Sequence, residues 1–209
     1  MKLVIIPVTP LQQNCSLLIC ESTGKATLVD PGGDPARLKS TVEAHGAQPE
    51  RLLITHGHFD HAGAAAELAE FWGIPIEGPH RDDEFLLDAI PEWCRQFGHP
   101  MGQIFRPDRW LEDRDEVIFG EERLMTYHCP GHTPGHVIFF HPGDKLAFVG
   151  DVLFRGGIGR TDLGRGNHAQ LLDSIQNRLL PLGDDVRFVP GHGPMSTFGE
   201  ERRSNPFIR

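Results

Sequence analysis

The sequence predicts an α/β fold organised as one domain over residues 1–209, and three observations carry that prediction. Short β-rich runs closed by Gly/Pro turns fill the first third and the last half of the chain. Stretches of helical composition, bounded by Pro and Gly signals, lie between them. The histidines and aspartates best suited to chemistry fall just after predicted strands, where a rigid sheet presents functional loops.

Leu3–Val8 and Ser16–Cys20 read as strands, and Glu21-Ser22-Thr23-Gly24-Lys25 as a hairpin turn into a third, Ala26–Val29. Asp30-Pro31-Gly32-Gly33 is a turn by composition. Asp34 before Pro35 gives an N-cap with proline at the first helical position, for a helix running to about His45-Gly46. Arg51–Ile54 is a strand, and Ala62–Trp72 an alanine-rich helix ended by Gly73 and Pro75. Between Arg81 and Pro107 the pattern weakens. Asp82–Ile90 fits a short helix, whereas Pro91, Gly98, Pro100 and Gly102 predict an extended loop, and the segment 81–107 receives no role. Strands return at Arg123–His128, Val137–Phe140 and Leu146–Val149, followed by a helix at His168–Leu180. A last strand, Val186–Val189, runs into Pro190-Gly191-His192-Gly193-Pro194.

A formal charge of −9 argues against nucleic acid and anionic membranes as partners, since both require a basic footprint. No segment offers the roughly 20 consecutive apolar residues of a membrane-spanning helix. Pro7 interrupts the short apolar N-terminus, so a secretory signal is not expected. Cys15, Cys20, Cys94 and Cys129 form neither a CxxC pair nor a disulfide framework, and read as small core residues in a reducing cytoplasm. Oligomeric state is not legible.

Thr55-His56-Gly57-His58-Phe59-Asp60-His61 places three imidazoles and a carboxylate within six residues, directly after the apolar run Leu52-Leu53-Ile54. Such density is metal-ligand chemistry, and His and Asp together suit zinc, iron or manganese. The cluster could hold two ions if the rest of the chain completes the ligand set. Three later residues in Gly/Pro turns do so: His132, Asp151 and His192. His45, His80, His99, His141 and His168 stand alone and read as ordinary surface or core residues.

In order and context, His56-Gly57-His58-Phe59-Asp60-His61, His132, Asp151 and His192 resemble the metallo-β-lactamase superfamily, over nearly the whole chain. The resemblance implies a four-layer αββα sandwich with the site at one edge of its two sheets. It implies that His56, His58 and His132 bind one ion, that Asp60, His61 and His192 bind a second, and that Asp151 bridges them. Asp30 matches a family position that supports the ligand loops, or else simply caps a turn. Zinc is the first choice of metal, with iron or manganese the alternatives.

Within the superfamily, lactamases commonly carry Cys where this chain has Asp151, and flavodiiron-type proteins carry a carboxylate where it has His58. Ribonuclease branches are longer and fit the acidic charge poorly. Pro130-Gly131-His132-Thr133-Pro134-Gly135-His136, Gly150-Asp151-Val152-Leu153-Phe154 and Gly156-Gly157-Ile158-Gly159-Arg160-Thr161-Asp162 resemble glyoxalase II, the hydroxyacylglutathione hydrolase. The last of these also resembles persulfide dioxygenases.

Only 17 residues follow His192, so the resemblance is to a short form without the C-terminal helical domain that holds glutathione in longer enzymes. Tyr127 is the sole tyrosine, which excludes a pocket built from several. The expected activity is hydrolysis of a small-molecule thioester such as S-lactoylglutathione, by a metal-bridging hydroxide held by Asp151 and Asp60. Arg160 is expected to anchor a substrate carboxylate or brace its loop, with Arg202 and Arg203 candidates of the same kind. The alternatives are a mononuclear iron persulfide dioxygenase and a metal-binding scaffold without catalysis.

Overall fold

Two mixed sheets pack face to face in the computed structural model, which describes residues 1–99 and 102–208. The first has the order β1 (Lys2–Val8), β2 (Gln13–Ile19), β3 (Lys25–Val29), β4 (Gln48–Leu53) and β5 (Ile76–Glu77). β1 through β3 are antiparallel, as tight turns require. β4 and β5 add in parallel, after crossovers through α1 (Pro35–Ala44) and then α2 (Phe59–Ala62) and α3 (Ala65–Trp72). A further helix, α4 (Glu84–Phe97), follows.

In the second sheet, β6 (Glu116–Phe119), β7 (Glu122–His128), β8 (Val137–His141) and β9 (Leu146–Gly150) form an antiparallel meander. A small hairpin of β10 (Leu153–Phe154) and β11 (Gly157–Ile158) and helix α5 (His168–Ser174) intervene. β12 (Arg187–Pro190) then returns parallel to β9, edged by β13 (Ser196–Thr197), before α6 (Phe198–Ser204).

The period-two alternation of each strand builds the layers. In β2, Leu17 and Ile19 face α1, α3 and α4, whereas Leu18, and Cys20 just past the strand, face the opposing sheet. In β8, Val137 and Phe139 join that inter-sheet core, and Ile138 and Phe140 turn outward to α5 and α6. The result is the expected αββα sandwich. All four cysteines are free and buried. Among the described residues no helix is long and apolar enough to cross a membrane.

Three elements differ from expectation. The helix expected over Ala62–Trp72 begins earlier and breaks at Gly63-Ala64, so Asp60 and His61 stand on the short helix α2 rather than on a loop. The helix expected over His168–Leu180 loosens after Ser174 into a π-type turn over Ile175–Leu179. The extended loop expected after Ile90 is instead the second half of α4, which continues through Pro91 to a left-handed cap at Gly98. A proline there forfeits one backbone hydrogen bond, at about 3 kcal/mol. Burial of Leu86, Leu87, Ile90 and Cys94 on one face offsets that loss. Pro100, one of the expected loop signals, lies outside the described residues.

Phe139, fully buried between the sheets, is expected to dominate the inter-sheet core. Phe139→Ala should destabilise the fold by about 3–5 kcal/mol in urea titration, against less than about 1 kcal/mol for Phe71→Ala at a surface site.

Candidate metal centre

The site forms where the ends of β3, β4, β9 and β12 meet. Asp30 follows β3 in a left-handed conformation (φ 54°) and turns its carboxylate toward the chain leaving β4. Its Oδ1 accepts the Thr55 backbone N–H (2.7 Å), and its Oδ2 accepts the Thr55 hydroxyl (2.6 Å). Oδ2 also lies 2.8 Å from His61 Nδ1. Packing here leaves no room for a side chain at position 32: a Cβ on Gly32 would stand 1.5 Å from the Asp60 carbonyl oxygen.

His56, His58 and His132 form one group, whose ligand atoms lie within 4.8 Å of one another. His58 Nδ1 is approached by His56 Nε2 at 3.0 Å and by His132 Nε2 at 3.1 Å. Neighbouring acceptors fix the tautomers. His132 Nδ1 donates to the Arg160 carbonyl (2.7 Å), which leaves its Nε2 as a lone pair facing inward. His56 Nδ1 meets the Thr55 hydroxyl (3.0 Å), already committed as a donor to Asp30, so His56 Nε2 is likewise a lone pair. Burial pushes His58 down to about 3 and lowers both His56 and His132. Neutral imidazoles aiming lone pairs at one point suit a cation.

Asp60, His61 and His192 form a second group of the same compactness. His192 Nε2 lies 3.1 Å from Asp60 Oδ2, while its Nδ1 donates to the Leu11 carbonyl (3.1 Å). Asp151 lies between the groups. One oxygen is 3.4 Å from His61 Nε2, and the other is 3.7 Å from His132 Nε2 and 3.8 Å from His192 Nε2. Burial opposes charge on both Asp151 and His61, yet their mutual attraction prevails. Asp151 is held well below the usual carboxylate range, and Asp151, Asp60 and Asp30 hold His61 well above its ordinary value.

Three carboxylates around one imidazole demand positive charge, and a metal ion answers that demand as a proton does. His61 Nε2 and Asp151 Oδ1 are moreover buried without a hydrogen-bond partner. Buried polar atoms without partners are expensive, so their convergence fits a metal.

Several structural supports escaped sequence reasoning. Asp83, at the start of α4, is fully buried and accepts Gly57 N–H (2.9 Å), the Thr133 hydroxyl (2.8 Å) and Gly135 N–H (2.6 Å). It ties the His56–His61 segment to the His132 loop. Nothing in one sequence marks it, because the Asp82-Asp83 pair reads as an ordinary helix start. His136 stacks on His56 (4.7 Å between centroids) and accepts the Asp151 N–H (3.1 Å). Its signal was the second histidine of the run Pro130–His136. Gly191 must lack a side chain, since a Cβ would lie 2.1 Å from Asp151 Oδ1.

The group opens into a cleft of about 330 Å³, walled by Leu11, Phe59, Trp93, Phe97 and Leu163. The arginine expectations divide: Arg160 stays at the cleft and braces its own loop, whereas Arg202 and Arg203 need correction. Arg160 borders this cleft, but its guanidinium is exposed and doubly hydrogen-bonded to Asp162 (2.7 and 2.8 Å), while its carbonyl orients His132. Arg202 and Arg203 do not line the cleft. α6 buries Phe198 and Glu201, so these arginines point outward, to Asp184 and Glu200.

Asp83 yields a test. Burial raises its carboxyl from 3.8 to about 6 against the opposing pull of its three donors. Between those values the native state keeps a proton that the unfolded chain has lost, so the Asp83 contribution to stability falls as pH rises through the window. Urea midpoints of wild type and Asp83→Asn compared from pH 4 to pH 7 should show that extra slope only in wild type, and a constant offset would contradict it. Asp83→Ala strands three donors and should cost about 3 kcal/mol or more at any of these pH values.

The family model for the metallo-β-lactamase superfamily matches residues 8–192. The Haemophilus influenzae hydroxyacylglutathione hydrolase GloC is 47% identical over 212 residues, covering 100% of this chain and 98% of that protein. Among solved structures, the B3 metallo-β-lactamase BLEG-1 superposes with a TM-score of 0.91 at 35% identity, covering 99% of both chains. TTHA1623 in a di-iron-bound form superposes with a TM-score of 0.89 at 38% identity, covering 98% of this chain and 99% of that one. These relatives share fold and length while differing in the activities their names carry. The chain belongs to the metallo-β-lactamase superfamily of metallo-hydrolases.

Proposed function

We propose that this metallo-hydrolase is a dinuclear thioesterase acting on S-hydroxyacyl glutathione, with S-lactoylglutathione as the test substrate. The observation that carries the reading is Asp151, set between two separate three-donor groups. His56, His58 and His132 would hold one divalent ion, Asp60, His61 and His192 the other, and Asp151 both. Divalent ions so placed supply a nucleophile from water at neutral pH and polarise a carbonyl.

The protein's own contribution is orientation and exclusion. Asp30 and the Arg160 carbonyl fix which nitrogens of His61 and His132 face the site. Phe59, Trp93, Phe97 and Leu163 give the acyl–sulfur segment an apolar wall and displace water from it. A thiolate leaves without strong general-acid help, because its conjugate acid has a pKa of about 8.5. The site needs no Ser-His-Asp constellation for this chemistry.

GloC, whose name records this activity, supports the glutathione thioester. Zinc is the first choice of metal, and the di-iron form of TTHA1623 supports iron as an alternative. The complete second group argues against the mononuclear dioxygenase reading, which would leave Asp60, His61 and His192 without a task. A small-molecule substrate, a cytoplasmic setting and a single domain complete the proposal.

Protein purified without chelators should carry close to two metal ions per chain by elemental analysis, and a single iron under metal-replete conditions would sink the dinuclear reading. Loss of a metal ligand should exceed the 10- to 100-fold penalty typical of outer supports, so Asp151→Asn and His61→Ala should each lose more than about 100-fold in kcat/KM. Near-wild-type turnover by either variant would contradict the assignment. S-lactoylglutathione should be hydrolysed far faster than a β-lactam under the same conditions. The reverse order would favour the activity that BLEG-1 is named for.

A further inference from the structure

Beyond the metal centre, the cleft continues outward. A second lobe of about 180 Å³ shares His58, Trp93, His132 and Leu163 with the first, and adds Phe85, Pro134 and Arg165. Phe85, Pro134 and Arg165 in turn border a third, more open groove of about 550 Å³. One path therefore leads from the metal ligands, across the apolar face of α4, to a charged outer groove.

The charges in that groove are unequal in availability. Arg106 is held by Glu84 (2.9 Å) and Asp88 (2.7 Å), so its charge is spent within the groove and the three groups together keep one negative charge. Arg81 has no carboxylate partner among the described residues. Arg165 has none either, and its guanidinium rests on the Phe85 ring at 4.2 Å. That stacking fixes the cation at the mouth of the second lobe while leaving its hydrogen-bond donors unspent. Asp82, also lining the groove, is 60% exposed, with the His80 ring at 3.5 Å, a His128 ring nitrogen within 4.8 Å and no Lys or Arg partner among the described residues.

Two free guanidiniums and one free carboxylate match a zwitterion. We propose that the outer groove binds the charged ends of the thiol half of the thioester, Arg81 and Arg165 taking its two carboxylates and Asp82 its ammonium. This rests on the thioesterase reading and locates its carrier subsite. The groove pairs three arginines with three carboxylates, so it lacks the positive excess that a polyphosphate-bearing thiol requires. A small peptidic thiol such as glutathione carries both signs. Exposed charge contacts are weak, so recognition is modest and distributed.

The test uses metal-loaded wild type, Arg81→Ala, Arg165→Ala and the double variant. Substrates are S-lactoylglutathione, its dicarboxylate dimethyl ester and a lactoyl thioester of coenzyme A. Each single variant should raise KM for S-lactoylglutathione about fivefold with kcat preserved, and the double variant more. KM for the dimethyl ester should start high and stay unmoved. Calorimetry with the non-hydrolysable S-methylglutathione should show the same weakening without turnover.

Hydrolysis by wild type with KM and calorimetric affinity indifferent to both arginines overturns the subsite alone. Equal shifts for the diacid and its diester overturn it also, since the arginines would then act through shape. A coenzyme A thioester with the lower KM and the larger arginine effect replaces the zwitterion with a phosphate. If no thioester is hydrolysed by metal-loaded wild type, the thioesterase reading falls and the subsite with it.

Discussion

The Asp30 carboxylate sets both halves of the metal centre at once. Through the Thr55 hydroxyl it commits His56 Nδ1 as a donor, and directly it does the same for His61 Nδ1. His56 belongs to one ligand group and His61 to the other. A single buried anion thus decides that both imidazoles present Nε2 lone pairs inward. The cost appears in the backbone, since a non-glycine residue at φ 54° sits in a sparsely populated region. Three hydrogen bonds to charged oxygens are strong enough to hold it there. Thr55 extends the control to the second sheet, because its carbonyl accepts the Val137 N–H (2.8 Å) at the start of β8. The two sheets are registered to each other at the residue that also orients the first ligand.

Charge explains why so much support is needed. Burying Asp60, Asp151 and Asp30 beside several imidazoles is unfavourable unless positive charge joins them. The fold defers part of that balance to a bound cation, which ties metal occupancy to stability. Asp83 solves a similar problem without a metal. Its oxygens are filled by three donors from two loops, so it locks the histidine segments while remaining outside the ligand set. Asn14 does comparable work across the sheets, as its side chain donates to the Pro190 and Gly193 carbonyls on either side of the His192 turn. Ligand geometry is therefore a property of the packed sandwich rather than of any one motif.

This division decides what was legible in the sequence. Strands were readable because alternation such as Val137-Ile138-Phe139-Phe140 reports two buried faces, and the two donor groups because histidine density is rare by chance. The course of α4 was not readable. Pro91 is a strong local breaker, and only the tertiary burial of Leu87, Ile90 and Cys94 overrides it. β6 and α6 were missed since each is short and takes its stability from a neighbour: β6 from its pairing with β7, α6 from Phe198 packed on Phe188. Asp83, His136 and the Arg160 carbonyl act through contacts distant in sequence. Arg202 and Arg203 misled for a related reason: a charged side chain near a motif says nothing of where the helix face turns it.

The longer course of the helix matters for the proposed function, because α4 walls the cleft that opens from the donor groups. Had residues 91–97 formed an exposed loop, the donor groups would have opened directly to solvent. Instead Phe85, Ala89, Trp93 and Phe97 present a rigid face beside His58, and the same helix carries Asp83 at its start. The element that shapes the cleft is thus bolted to both histidine loops. A shift of α4 would move the apolar wall and the Asp83 anchor together, so the spacing between the cleft wall and the histidine segments is held by one unit. Placing the positioning surface on a helix rather than a loop keeps that geometry tight.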